Sequence, residues 1–230
     1  MPSVSDNLRC VLDNIAVSAV RAGRDPSEVR LVAVTKNVDV ARICSVVSAG
    51  VDHLGENRVQ EAARKIPEVP GSPTWHLVGH LQRNKARHAV GLFSMIQSLD
   101  SLELAAELDR RCEACGASLD ALLQVNISGE STKYGVAPEA AAGVLREMPV
   151  FEHLRVLGLM TMAPYSEDPE DARVWFRALR RLARELSALC LSNVTMDELS
   201  MGMSGDYRVA VEEGSTIVRV GTAIFGERAY

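Results

Sequence analysis

Long apolar runs are missing from these 230 residues, although 47% of the side chains are hydrophobic. No stretch approaches the roughly 20 apolar residues that a helix needs to cross a bilayer. The opening segment, Met1 to Leu12, carries Asp6 and Arg9 where a signal peptide would be apolar, so no export signal is read there. Positive charge is in deficit too. With 25 Lys and Arg against 30 Asp and Glu, the formal net charge of −5 argues against a general nucleic-acid binder. The five cysteines are few and odd in number, so a disulfide framework is not expected. Cys112 and Cys115 make one C-x-x-C pair, with no second pair and no histidine at finger-like spacing. At i and i+3 they share a helix face, which favours an incidental pair over zinc. Linkers, low-complexity tracts and internal repeats are also lacking, and the longest irregular stretch is read at Ala163 to Asp168. A single domain over 1–230, cytoplasmic, without membrane or nucleic-acid partners, is the expectation.

What is present is an alternation of short apolar runs with longer amphipathic ones. Asp6 to Ala22 has helical spacing, with Leu8, Leu12, Ile15 and Val20 roughly on one face and Gly23 closing it. Strands are predicted at Arg30–Thr35, His53–Gly55, Trp75–Gly79, Ser94–Ser98, Ala121–Asn126, Arg155–Met160, Glu198–Met201 and Thr216–Val220. Helices are predicted at Val38–Ala49, Arg58–Ile66, Gln82–Val90, Ser101–Cys115, Pro138–Glu147, Pro169–Leu189 and Asp206–Glu213. Strands that alternate with helices pair in parallel and are covered by those helices. Eight such units predict an α/β fold, a single (β/α)8 TIM-type barrel with an extra N-terminal helix. An open doubly wound sheet would need a Gly-rich turn after its first strand, and Thr35-Lys36-Asn37-Val38 has no glycine.

Chemistry in such a barrel gathers where the strands end. Lys36 closes the first strand. A lysine withdrawn from water becomes a usable nucleophile toward aldehydes, the chemistry of Schiff bases and of pyridoxal phosphate. The alternative is an ordinary strand-end lysine that reaches solvent. After the seventh and eighth strands, Gly202, Ser204, Gly205, Gly221 and Thr222 form small-residue turns suited to a phosphate, or else tight connections with Ser204 as an N-cap. Arg219 interrupts an apolar strand and needs a partner if buried. It either pairs with a carboxylate or donates to a cofactor ring nitrogen, which it would keep unprotonated because a guanidinium offers only donors. Asn57 and His80 are further candidates at strand ends. Met160, Met162, Met201 and Met203 read as core ahead of cofactor contacts. Arg83, Lys85, Arg87 and His88 read as a solvated helix face ahead of a basic rim for phosphorylated ligands, and Lys133-Tyr134-Gly135 as a surface turn ahead of a flexible second lysine near the mouth.

These residues lie in stretches that resemble the pyridoxal phosphate homeostasis protein family, whose fold is shared with the N-terminal domain of alanine racemase. The matching segments are Val32–Lys36, Gly55–Asn57, Trp75–Lys85, Lys133–Gly135, Gly158–Met162, Leu199–Ser204 and Arg219–Thr222. The resemblance implies pyridoxal 5′-phosphate carried as a Schiff base on Lys36. It also implies Arg219 facing the pyridine nitrogen and Ser204, Gly221 and Thr222 at the phosphate, with Asn57, His80 and Met203 as weaker carry-overs. It further implies a carrier and buffer in vitamin B6 and amino-acid homeostasis that hands the cofactor to apoenzymes, without robust turnover. The alternative is a low-activity amino-acid racemase, which needs bases on both faces of the ring. In alanine racemase the opposing tyrosine comes from an added C-terminal domain, whereas this sequence ends at Tyr230 just past the eighth strand. Of Tyr134, Tyr165, Tyr207 and Tyr230, none is placed by a motif. A cofactor-free lysine aldolase would leave Arg219 without a ring to serve. The expected oligomeric state is a monomer.

Overall fold

The computed structural model describes residues 3–227. Eight parallel strands close in sequence order into a barrel, β8 returning to pair with β1. The strands are β1 (Arg30–Val34), β2 (His53–Glu56), β3 (Thr74–Leu77), β4 (Met95–Leu99), β5 (Leu119–Gln124), β6 (Leu154–Met160), β7 (Val194–Ser200) and β8 (Ile217–Val220). Around them lie α1 (Val4–Arg21), α2 (Val40–Ser48), α3 (Val59–Lys65), α4 (Ala86–Ala89), α5 (Leu102–Cys115), α6 (Pro138–Glu147), α7 (Arg173–Ser187), α8 (Tyr207–Glu212) and α9 (Thr222–Phe225). The predicted barrel with its preceding helix is therefore the observed fold.

Local chemistry sets many of the boundaries. Ser3 and Asp6 form a capping box that starts α1, and Asp39 and Ser101 cap α2 and α5 through their side chains. Gly116 ends α5 in the left-handed region, and Pro138 occupies the first turn of α6. Two layers of core result. Helices pack on the outside of the strands, while Val32, Val34, Val78, Met95, Leu122, Met160 and Ile217 fill the barrel interior.

Several expectations shift. The buried face of α1 is Leu8, Val11, Ile15, Ser18 and Ala19, whereas Leu12 and Val20 are exposed. The helix lies across α8 and α9, and that contact selects the stripe offset from the one read by apolar content alone. Strand β7 begins at Val194, four positions before the predicted Glu198. Its first half alternates half-buried with exposed residues, a weak apolar signal. The segment Gln82–Val90 is a 3-10 turn followed by the four-residue α4, and α9 was not anticipated. The longest irregular stretch is 125–137, not Ala163 to Asp168. A bridge between Val125 and Val136 folds it back over the end of β5. At Gly158, where β6 slips register against both neighbours, an added Cβ would fall 1.8 Å from the Glu198 carbonyl oxygen, so the strands close only with glycine there.

Candidate functional site

A cavity of about 400 Å³ opens at the C-terminal ends of the strands. All eight candidates, Lys36, Asn57, His80, Met203, Ser204, Arg219, Gly221 and Thr222, line it. Each arrives from a different kind of local constraint.

Lys36 sits in the turn that follows β1 and is half-buried. Among the described residues its amine has no hydrogen bond or ion pair. The turn itself is held rigidly from behind. Lys65 Nζ, on α3, donates to the Thr35 carbonyl at 2.6 Å, to Glu56 Oε1 at 2.8 Å and to Glu61 Oε1 at 2.6 Å. Thr35 Oγ1 donates to Glu56 Oε1, and the Asn37 N–H donates to Glu61 Oε1 at 2.7 Å. Asn37 adopts a left-handed φ of 56°, a conformation asparagine tolerates better than most residues. Both peptides flanking Lys36 are thus tied to one buried ion cluster. Burial pushes the Glu56 carboxyl upward in pKa against the pull of Lys65 and Thr35, and its Oε2 is buried without a partner.

Arg219 comes up through the barrel on β8 and is buried. Its Nη1 donates to Ser200 Oγ and its Nη2 to the Thr161 carbonyl at 2.8 Å. No described carboxylate lies within ion-pairing distance of it. Burial pulls its pKa down to about 10, opposed by the Asp206 charge, so the group remains a cation at neutral pH. Asp206 is itself pushed up by burial, against the Met203 N–H that it accepts and against Arg219. The carboxylate pairing considered for Arg219 is therefore not its arrangement.

The turns after β7 and β8 meet at Ser204. Its Oγ accepts from the Gly221 and Ala223 N–H groups, each at 3.2 Å, so it steadies the start of α9 and does not cap α8. Thr222 is exposed to the cavity, and at Gly205 an added Cβ would meet nothing within 4 Å. Gly202 has φ 94°, and a Cβ there would strike Ala210 at 2.5 Å; that close approach brings α8 against the rim. On the opposite rim, a Cβ at Gly79 would lie 2.4 Å from the Asn57 carbonyl oxygen, which locks the ends of β2 and β3 together. His80 Nδ1 is 3.0 Å from Asp100 Oδ2, and the imidazole stacks on Tyr134 with centroids 3.7 Å apart.

Sequence reading missed three participants. Tyr134 belongs to a turn, as expected, but also lines the cavity. Gln124 lines it too and donates to the Tyr134 carbonyl, fastening the 125–137 loop to β5. Lys65 is buried, and its signal was the Glu61–Lys65 spacing on α3. Of the four methionines, Met160 and Met201 are core, whereas Met162 and Met203 line the cavity. Cys112 is buried and Cys115 exposed; no described cluster of residues could hold a metal. No helix among the described residues is long and apolar enough to cross a membrane. Tyr230 lies outside the described residues.

Over residues 7–229 the sequence matches the family described as alanine racemase, N-terminal domain. The pyridoxal phosphate homeostasis protein of Aquifex aeolicus is 42% identical over 226 residues, covering 98% of each chain. The chain belongs to the pyridoxal phosphate homeostasis protein family. A second pyridoxal phosphate homeostasis protein, from Escherichia coli K12, is 38% identical over 240 residues, covering 100% of this chain and 99% of that one. PipY of Synechococcus elongatus, solved with PLP bound, superposes with a TM-score of 0.83 at 37% identity, covering 97% of this chain and 100% of that one. Alanine racemase of Clostridium difficile shares the fold, with a TM-score of 0.75 at 15% identity over 98% of this chain and 60% of the racemase.

Proposed function

We propose that this chain binds pyridoxal 5′-phosphate in the C-terminal cavity, attached to Lys36, and serves as a cytoplasmic carrier and buffer of the cofactor. One observation carries the proposal most directly: the Lys36 amine, without a partner, opens into the same cavity as a buried guanidinium that has no carboxylate. The donor set fits the group. A primary amine, a donor-only guanidinium and a rim of two hydroxyls beside an open glycine match an aldehyde, a ring nitrogen and a phosphate. When bound, the cofactor supplies an electrophilic aldehyde that condenses with a primary amine and a conjugated ring that then absorbs visible light.

The residues divide the work. Lys36 provides the nucleophile, and the Lys65 cluster holds the turn that presents it. Arg219 donates to the ring nitrogen and keeps it unprotonated, which makes the ring a poor electron sink. Ser204, Gly221 and Thr222 hold the phosphate. Asn57, His80 and Met203 border the ring, with His80 oriented by Asp100 and covered by Tyr134. The open mouth would let a competing primary amine, such as the lysine of an apoenzyme, reach the carbon bonded to Lys36 and displace the Lys36 amine from it. The protein works as a monomer in this reading.

Wild-type protein loaded with pyridoxal phosphate is expected to be yellow, and Lys36→Ala to lose the visible band. Borohydride reduction followed by peptide mapping is expected to find the adduct on Lys36. A band that survives in Lys36→Ala, or an adduct on another amine, rejects the assignment. Racemisation of alanine and serine is expected to be negligible; robust chiral turnover that disappears with Lys36 would replace the carrier reading with the racemase one.

A further inference from the structure

Five strands contribute polar side chains to a continuous hydrogen-bonded line through the barrel interior. Arg219 Nη1 donates to Ser200 Oγ. Ser200 Oγ lies 2.7 Å from Gln97 Oε1, Gln97 Nε2 lies 3.1 Å from His76 Nδ1, and His76 Nε2 lies 2.9 Å from His53 Nδ1. Ser200, Gln97 and His76 are all essentially inaccessible to solvent. The line begins at the cavity that holds Lys36 and ends at His53, which borders a second cavity at the opposite mouth of the barrel.

Its direction follows from the arginine. A guanidinium can only donate, so Ser200 Oγ accepts from it and turns its own hydrogen toward Gln97. The Gln97 oxygen is then occupied in accepting, so its amide nitrogen donates to His76 Nδ1. Burial pulls the His76 pKa down to about 3, which leaves the ring neutral with its single hydrogen on Nε2. That hydrogen is donated to His53 Nδ1. Every link therefore points away from Arg219, and no member can turn round without setting donor against donor.

We propose that Ser200, Gln97 and His76 are positioning residues for Arg219: the one-directional line fixes the guanidinium so that its remaining N–H groups face the ring nitrogen of the bound cofactor. This rests on the cofactor assignment above. The rest of the barrel interior is filled by residues such as Val32, Val34, Leu122 and Met160, so apolar packing is available to this fold. Buried polar groups are commonly no more stabilising than apolar replacements of the same shape, which leaves orientation as the role of the line.

Two measurements test it. The first needs no cofactor. Imidazole nitrogen NMR of the ligand-free protein at neutral pH should show hydrogen on Nε2 and none on Nδ1 of His76. Hydrogen on His76 Nδ1 would reverse the line and overturn the proposal. The second compares wild type with Gln97→Met and Ser200→Ala, all loaded with pyridoxal phosphate. Both variants should still form the Lys36 adduct on borohydride reduction. They should shift the pH profile of the visible band and release the ligand on dialysis about tenfold faster, the ratio expected for about 1.4 kcal/mol. Unchanged profiles and release rates in folded variants, whatever their melting temperatures, would overturn it. If Gln97→Met does not fold, Ser200→Ala and the His76 tautomer decide. A wild type with no visible band would sink the cofactor assignment instead, a result the tautomer measurement does not share.

Discussion

The two mouths of the barrel differ in what their charges do. The cavity at the N-terminal ends of the strands is the larger, about 530 Å³, and is rich in ionisable groups. Apart from the exposed Asp197, those groups have partners. Arg30 Nη1 lies 3.0 Å from Glu198 Oε1, Thr216 Oγ1 donates to the other oxygen of Glu198, and His53 faces Asp52. The C-terminal cavity is smaller, about 400 Å³, yet its two cations, Lys36 and Arg219, have no carboxylate partner there. Volume and charge density alone would favour the end opposite the proposed site. A binding site is marked by donors left without acceptors, because a ligand can supply what the protein withholds.

Lys36→Ala sharpens this contrast most, since it should remove covalent retention entirely. The next largest effect concerns the amine behind it. Lys65 is fully engaged with acceptors, whereas Lys36 has none. In Lys65→Met, Glu56 and Glu61 lose their shared cation, and Glu56 is left as a buried carboxylate with only the Thr35 hydroxyl as a donor. Breaking a buried ion cluster in this way costs about 3–5 kcal/mol, which urea denaturation of the ligand-free protein would register. A loss below about 1 kcal/mol would mean that the cluster does not hold the Lys36 turn.

The line joining the mouths makes a pH prediction. The folded-state pKa of His76 is depressed to about 3, against about 6.5 for a free histidine. The unfolded chain thus binds a proton that the folded chain refuses. Stability from this group is complete above pH 6.5 and declines as pH falls toward 3, at up to about 1.4 kcal/mol per pH unit. His53 is also lowered, chiefly by burial, and acts in the same sense. Wild-type stability should drop by about 2 kcal/mol between pH 7 and pH 5, before most carboxylates titrate. His76→Gln should flatten that limb; an equally steep limb in the variant would assign the acid sensitivity elsewhere.

Much of the barrel was legible because alternation of short apolar runs with amphipathic ones is a property of sequence, and closure follows from the number of such units. The strand-end residues were legible for the same reason, since the fold sends the end of every strand to one rim. What escaped depended on tertiary contact. The start of β7 is half-exposed and carries little apolar signal. In Val59–Lys65 the Glu61–Lys65 spacing marks only a helical ion pair, and Lys65 becomes a buried group only when α3 docks over the turn after β1. Gln97 and His76 look like ordinary polar interruptions of their strands, and only closure of β2, β3, β4, β7 and β8 aligns them.

The smallest effects test the comparison itself. Ser204→Ala or Thr222→Ala should weaken cofactor retention by about 1–3 kcal/mol, the cost of a lost or unsatisfied polar contact. Ser204→Ala should sit at the upper end, because it also frees the Gly221 and Ala223 N–H groups from their acceptor. At the opposite mouth, Glu198→Gln removes a half-exposed pairing with Arg30, worth under about 1 kcal/mol of stability. It touches nothing at the rim, so retention measured by equilibrium dialysis should match wild type within error. If Glu198→Gln released the cofactor as readily as Ser204→Ala, the two mouths would not be chemically separate, and compensation of charge would no longer distinguish the binding end from the structural one.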